Sequence, residues 1–345
     1  MKVIQNFIFL LFVCTIFIGC NPDEGTTVDM LPSNVISKVS IDKNGVKWFV
    51  TDKGLVSFDG KKWTTYSKIP SLYNKPILDL ILNESGSQKT IMASGTEGVF
   101  KGLFSDQSVL ESIIYHRTPK GLVSDTVNKL AVNSSNHLFF GTPKGLSILK
   151  DTSWIFFDGH WGGKTTDKFL ITTEITGIGT AKNGWVYVST KGSGVSCFKF
   201  VDAVTAATKY VLPWADGLNS DVVYTVVIVN DTCQWYGTDA GTSYHLSNFT
   251  KGDWELHYSV AEGGLASDSV YAIAKDVTNN IVWFGTQRGV SKLKDNVIKN
   301  YSTKDGLVDN KINTLAVDID GSVWIGTDYG ISHLKDEKWT SYIKK

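Results

Sequence analysis

The stretch Val323-Trp324-Ile325-Gly326-Thr327-Asp328-Tyr329-Gly330-Ile331 sets the fold, because versions of it recur along the whole chain. Trp283-Phe284-Gly285-Thr286-Gln287-Arg288-Gly289-Val290 and Trp235-Tyr236-Gly237-Thr238-Asp239-Ala240-Gly241 repeat it upstream. Phe139-Phe140-Gly141-Thr142-Pro143-Lys144-Gly145-Leu146 and Trp48-Phe49-Val50-Thr51-Asp52-Lys53-Gly54-Leu55 repeat it again. Two divergent copies complete the set: Ile91-Met92-Ala93-Ser94-Gly95-Thr96-Glu97-Gly98 lacks the tryptophan, and Tyr187-Val188-Ser189-Thr190-Lys191-Gly192-Ser193-Gly194 carries an extra turn residue. Anchored on the closing glycine, at Gly54, Gly98, Gly145, Gly194, Gly241, Gly289 and Gly330, the copies lie 41 to 49 residues apart. Such a period means that one small unit has been multiplied and that the fold is decided by how the units stack.

The last unit shows what is repeated. The spacing predicts strands over 310–318, 323–327, 331–334 and 339–342, joined by turns at Ile319-Asp320-Gly321, Asp328-Tyr329-Gly330 and 335–338. Four short strands with tight turns make an antiparallel meander. In Trp324-Ile325-Gly326-Thr327 successive side chains face opposite ways, yet both faces are largely apolar, so the sheet must be covered on both sides. Gly326 leaves room for a neighbouring sheet to approach, and Gly330 supplies a positive φ to the hairpin turn. Repeats of this length, buried on both faces, predict an all-β protein: a seven-bladed β-propeller of four-stranded antiparallel blades. The pattern Asp-Gly-Leu, then Asn/Asp-x-Val/Ile, then Trp-x-Gly-Thr-x-x-Gly resembles the two-component regulator propeller repeat, which is common in extracytoplasmic sensors of Bacteroidota. In the large sensors of that family the propellers precede an immunoglobulin-like module, a membrane helix and a histidine kinase; a free-standing, lipid-anchored form is the expectation here.

The 345 residues divide into a signal peptide at 1–19, a tether at 20–30 and a propeller at 31–345. The apolar run Phe7 to Ile18 behind Lys2 is too short to span a bilayer but fits the core of an export signal. It ends at Phe17-Ile18-Gly19-Cys20, which resembles a bacterial lipobox and makes Cys20 the lipidated residue; the expected location is the outer membrane or cell surface, with the lipid as the only membrane contact. Acidic and basic residues balance at 34 each, which gives no electrostatic case for nucleic acid. Cys197 and Cys233 are the cysteines left in the folded part and read as two buried thiols. No Cys/His metal spacing is present, and neither metal nor cofactor is expected.

Binding is expected on one face. Meander connections alternate between the two ends of the strands. The turns between second and third strands therefore share a face with the longer connections that run from each fourth strand to the next blade, and loops on a rigid scaffold are where binding usually sits. On that face the sequence places Tyr73, Arg117, His160, Trp161, Trp214, Asp216, Glu262, Arg288, Asp328 and Tyr329 as candidate ligand-binding residues. Aromatic rings with arginine and carboxylates suit a glycan, a peptide or an acidic ligand. Asn34, Asp125, Asp221, Asp268 and Asn310 recur just before the first strands and read as loop caps.

The leading expectation is a non-enzymatic, monomeric binding or sensor-like protein whose partner is a glycan, a peptide or an envelope protein. Two alternatives differ in class. Propellers host lyases and lactonases, including the streptogramin lyases, whose repeats look distantly similar; an enzyme would need His116, His160 and Glu262 to converge. An envelope assembly scaffold would instead show a broad exposed aromatic patch.

Overall fold

The computed structural model describes residues 26–28, 31–66, 76–85, 88–105, 108–118, 121–157, 174–200, 209–211, 217–246 and 254–345. Seven antiparallel sheets follow one another along the chain, at 36–65, 77–115, 129–157, 175–211, 223–258, 270–301 and 312–344. Each is a meander in which the strands pair in chain order. The first, inner strands are Ile36–Ile41, Ile77–Ser85, Lys129–Val132, Ile175–Thr180, Val223–Asn230, Val270–Asp276 and Ile312–Val317. Each packs beside the inner strand of the next blade, and the seventh packs beside the first, so the ring is closed. The all-β, seven-bladed propeller expected from the repeat is the fold.

The closure has a detail that the repeat pattern left open. Thr26–Val28 forms a short strand that pairs in parallel with the outer strand Lys338–Lys344, Thr26 opposite Tyr342 and Val28 opposite Lys344. The last blade therefore has five strands, four contiguous in sequence and one from the other end of the chain. Pairing of the two chain ends covers the outer edge of blade seven, which would otherwise expose backbone donors and acceptors. Aromatic packing reinforces the same seam. Trp324 of blade seven lies 5.7 Å from Phe49 and 5.8 Å from Phe58 of blade one, and Trp63 lies 5.5 Å from Tyr342.

The conspicuous residues of the repeat are structural. All seven anchor glycines have positive φ, from 66° at Gly194 to 134° at Gly330, where a side chain would strain the turn. The preceding threonine ties the same turn: Thr51, Thr142, Thr238, Thr286 and Thr327 donate through Oγ1 to the anchor glycine carbonyl at 2.8–2.9 Å. The strand glycine has a separate task. A Cβ on Gly326 would meet Cγ2 of Ile36 at 2.6 Å, and one on Gly285 would meet Cγ2 of Ile312 at the same distance, so these glycines let the next blade dock. Gly326→Val is expected to lower stability by about 1–3 kcal/mol through overpacking, read as a lower denaturation midpoint in urea; an unchanged midpoint would show that the seam can yield.

The opposite face is tied by buried ion pairs between blades. The Asp42 carboxylate accepts from the Asn44 and Val46 amides of its own turn, both at 2.9 Å, and binds Lys89 of blade two. Asp318 repeats this from blade seven, reaching Lys47 of blade one at 2.7 Å. The Asp318-Ile319-Asp320-Gly321 turn is thus a structural corner. Cys197 and Cys233 are both buried and form no disulfide, as the sequence suggested.

Candidate functional site

The seven inner strands begin on the face that carries the turns between second and third strands. Bonds between loops establish this: the Asp125 carbonyl accepts from the Gly98 amide and the Asp268 carbonyl from the Gly241 amide, both at 2.7 Å, so the connections entering blades three and six rest on a turn of the blade before. The recurrent polar residues in these connections are caps. Asn34, Asp125, Asp268 and Asn310 accept through Oδ1 from the amides of Lys344, Arg117, Val260 and Thr303, at 2.6–2.8 Å.

Six inner strands open with a buried branched residue, Ile36, Ile77, Ile175, Val223, Val270 or Ile312, and in blade three Val127 stands two residues before the strand. The residue that follows each of these, in chain order Ser37, Leu78, Asn128, Thr176, Tyr224, Tyr271 and Asn313, lines the mouth of the central channel. In six blades the strand register slips at this position, which leaves the residue out of the ladder and turns its side chain away from the sheet. Where it is short and polar it stitches blades together. Ser37 donates to the Ile77 carbonyl at 3.1 Å, Asn128 to Ile175 at 3.3 Å, Thr176 to Val223, and Asn313 to Ile36 at 3.1 Å. Each bond reaches the next blade, so the ring of side chains is also a belt.

Blades two, five and six depart from that pattern, blade two with the apolar Leu78 and the other two with tyrosines. Tyr224 and Tyr271 occupy the stitch position with ring centroids 4.9 Å apart and planes at 56°. Both are half-buried, and neither hydroxyl has a hydrogen-bond partner among the described residues. Together with Val35, Leu78, Lys129, Lys311 and Asp328 the ring lines an open cavity of about 500 Å³. That volume falls within the range of small-molecule sites. On its rim Asp328 accepts from Lys311 Nζ at 2.8 Å and Asn313 Nδ2 at 2.7 Å. Partial burial works against ionisation of Asp328, but these two donors outweigh it and hold its pKa below the ordinary value. Burial, with Tyr271 and Asp239 nearby, pushes the Tyr224 phenol up, so it stays a neutral donor.

Below the mouth lies a charged cluster. Asp79 is buried, its Oδ1 3.0 Å from Lys38 Nζ and its Oδ2 accepting from the Leu130 amide at 2.9 Å. Burial would raise the Asp79 pKa, but Lys38, Lys129 and the Leu130 amide overcome it and keep the carboxyl ionised. Lys129 is deep in the protein yet keeps part of its surface open to the channel. Burial lowers its pKa and Lys38 adds to this, against the pull of Asp79.

Of the candidates named from sequence, Asp328 reaches the channel mouth. Tyr329 is 67 % exposed on the adjacent turn tip. Arg288 is exposed on the equivalent turn of blade six, and Arg117 is exposed on the connection into blade three. Glu262 lies in the short helix Val260–Gly263, and its side chain is outside the described residues. Tyr73, His160, Trp161, Trp214 and Asp216 also lie outside them, as does Cys20. His116 is described, exposed and 3.9 Å from Asp125, so whether His116, His160 and Glu262 converge rests on residues outside the described set. Among the described residues no three His, Cys, Asp or Glu side chains gather as metal ligands, and no helix is long and apolar enough to cross a membrane. Tyr224, Tyr271, Lys129 and Asp79 were missed. The available signal was the residue after the branched residue at or just before the start of each inner strand, where two tyrosines replace short polar side chains.

Residues 306–329 match the sequence profile of the family described as two component regulator propeller. No curated protein sequence matches the chain. Among solved structures, the chain is similar to the extracellular domain of BT4673 from B. thetaiotaomicron, described as a hybrid two component system, with a TM-score of 0.67, 18% identity and 90% of this chain covered. It spans 39% of that structure's chain. Streptogramin B lyase matches with a TM-score of 0.66 and 14% identity, over 90% of this chain and 96% of its own. Virginiamycin B lyase from Staphylococcus aureus matches at 0.61 and 9%, over 87% and 94%. Identities this low carry the fold alone. The chain therefore contains a two component regulator propeller repeat, set in a seven-bladed β-propeller of the fold shared by the BT4673 extracellular domain and Streptogramin B lyase.

Proposed function

We propose that the chain is an extracytoplasmic, lipid-anchored, non-enzymatic propeller that holds a ligand on the face bearing the channel mouth and acts in a sensor-like role. The observation that carries this is the break in the stitch belt: in blades five and six the position that bonds blade to blade in four other blades holds Tyr224 and Tyr271, half-buried around the mouth cavity. Two adjacent rings with unpartnered hydroxyls offer apolar area and directed hydrogen bonds to a guest at little conformational cost. The repeat match at 306–329 and the likeness to an extracellular sensor domain favour an export and sensing setting, and the lipobox-like Phe17-Ile18-Gly19-Cys20 favours a lipid anchor. A glycan, a peptide or an envelope protein is the expected partner.

A glycan and peptide array probed with the full-length protein tests this. Binding is expected to at least one class, with affinity at least tenfold weaker for the Tyr224→Ala/Tyr271→Ala double variant, equivalent to about 1.4 kcal/mol. Binding that the double variant retains in full would remove the channel mouth from the account. The scaffold reading has one observation in its favour. Leu110, Ile113 and Ile114 stand exposed on Ser108–Tyr115, the outer strand of blade two, and specific capture of an envelope protein through that strand would favour it.

A further inference from the structure

The mouth and the channel below it differ in what they offer a guest. The tyrosine pair stands on blades five and six, and Lys129 stands across the ring on blade three; all three line the same cavity. The charge beneath is unbalanced. Lys38 and Lys129 face the single carboxylate of Asp79, whose oxygens are already engaged by Lys38 and by the Leu130 amide. Lys129 Nζ has no hydrogen-bond or ion-pair partner among the described residues. The other charged groups lining the cavity, Lys311 and Asp328, neutralise one another at the rim. A buried ammonium without a hydrogen-bonded counter-charge is costly, and an anion supplied from the mouth would relieve that cost.

Resting on the ligand-binding reading above, we propose that the mouth takes a small ring-bearing carboxylate, its ring against Tyr224 and Tyr271 and its carboxylate accepting from Lys129 Nζ. The cavity of about 500 Å³ accommodates one such molecule or the acidic end of a longer one. A charge-assisted hydrogen bond is stronger than a neutral one, so the acid should be preferred over its uncharged analogue. Aromatic acids and sugar acids share this chemistry, and the test separates them.

Calorimetric titration of the full-length protein with two matched pairs is the experiment: 4-hydroxyphenylacetate against its amide, and glucuronate against glucose. The acid of at least one pair is expected to bind at least tenfold more tightly than its neutral partner, and which pair responds identifies the source. Lys129→Met should abolish that preference. Asp79 keeps Lys38 in this variant, so thermal unfolding should show an intact fold, and Lys294→Met, at an exposed lysine that does not line the cavity, should retain the preference. Equal binding of acid and neutral partner, undiminished binding of the acid by Lys129→Met, or no saturable binding of either acid would each overturn the assignment. Binding of a neutral partner at the mouth would leave the ligand-binding reading standing and sink the anion alone.

Discussion

Trp324→Ala is expected to lower the stability of the protein by about 3–5 kcal/mol, the range for removing a buried tryptophan. The ring is 2 % exposed. It stacks on His333 at 4.0 Å and on Tyr342 at 5.6 Å within its own blade, and meets Phe49 and Phe58 across the seam to blade one. Truncation would leave a cavity where the chain's last blade closes on its first, and the rigid blades can collapse into it only in part. One term acts the other way. The indole Nε1 is buried with no hydrogen-bond partner among the described residues, so its removal recovers a desolvation cost. Trp324→Phe, which removes that group while keeping most of the ring, is therefore expected to cost clearly less than Trp324→Ala. Urea denaturation of both variants measures the order, with Tyr329→Ala, on the exposed turn tip, as the control within ±0.5 kcal/mol.

Asp79→Ala is expected to cost a comparable amount, about 3–5 kcal/mol at neutral pH, because it removes one member of a buried charge cluster and leaves the others uncompensated. Without Asp79, Lys38 and Lys129 face each other with no carboxylate between them. The pH dependence carries the signature. The folded-state pKa of Asp79 lies below its ordinary value, so its stabilisation is fully present above the unfolded value, about 3.9, and is lost as pH falls through the folded value. The gap between wild type and variant should accordingly narrow in acid. Lys129 acts with the opposite preference. Its folded-state pKa is depressed, so the unfolded chain binds more protons between the two values and stability rises with pH there. The variant should regain stability as pH rises toward the lysine range. Chemical denaturation across pH checks both arms, and a gap independent of pH would show that the cost is packing and not charge.

The fold was legible because its determinants are local and repeated. Gly330 and its six counterparts must turn the chain at positive φ, and Gly326 must admit Ile36, so selection of residue type at those positions leaves a periodic trace. The strap at Thr26–Val28 was legible only as an open possibility, that residues 25–33 add a strand at the closure: three residues without the repeat pattern pair in parallel with a strand more than three hundred positions away, and nothing local fixes the partner. The loop caps were readable, since Asn34, Asp125, Asp268 and Asn310 bond to backbone close by in space, and mostly close in sequence. The channel mouth was harder. Tyr224 and Tyr271 look in sequence like ordinary strand residues, and they acquire meaning only when seven equivalent positions are placed on one ring and four are seen to stitch. Lys129 and Asp79 lie fifty residues apart, and their proximity is a product of ring geometry. Exposed turn residues such as Arg288 and Tyr329 drew attention for their chemistry, while the cavity is built by residues one layer further in.

The central claim is that the guest sits at the channel mouth, and hydrogen–deuterium exchange of the full-length protein, with and without a ligand found by the array, tests it most directly. Slower exchange is expected at the starts of the inner strands, 223–225 and 270–272, and at 311–314 beside Asp328. Protection confined to the outer strand Ser108–Tyr115, with none at the channel mouth, would contradict it.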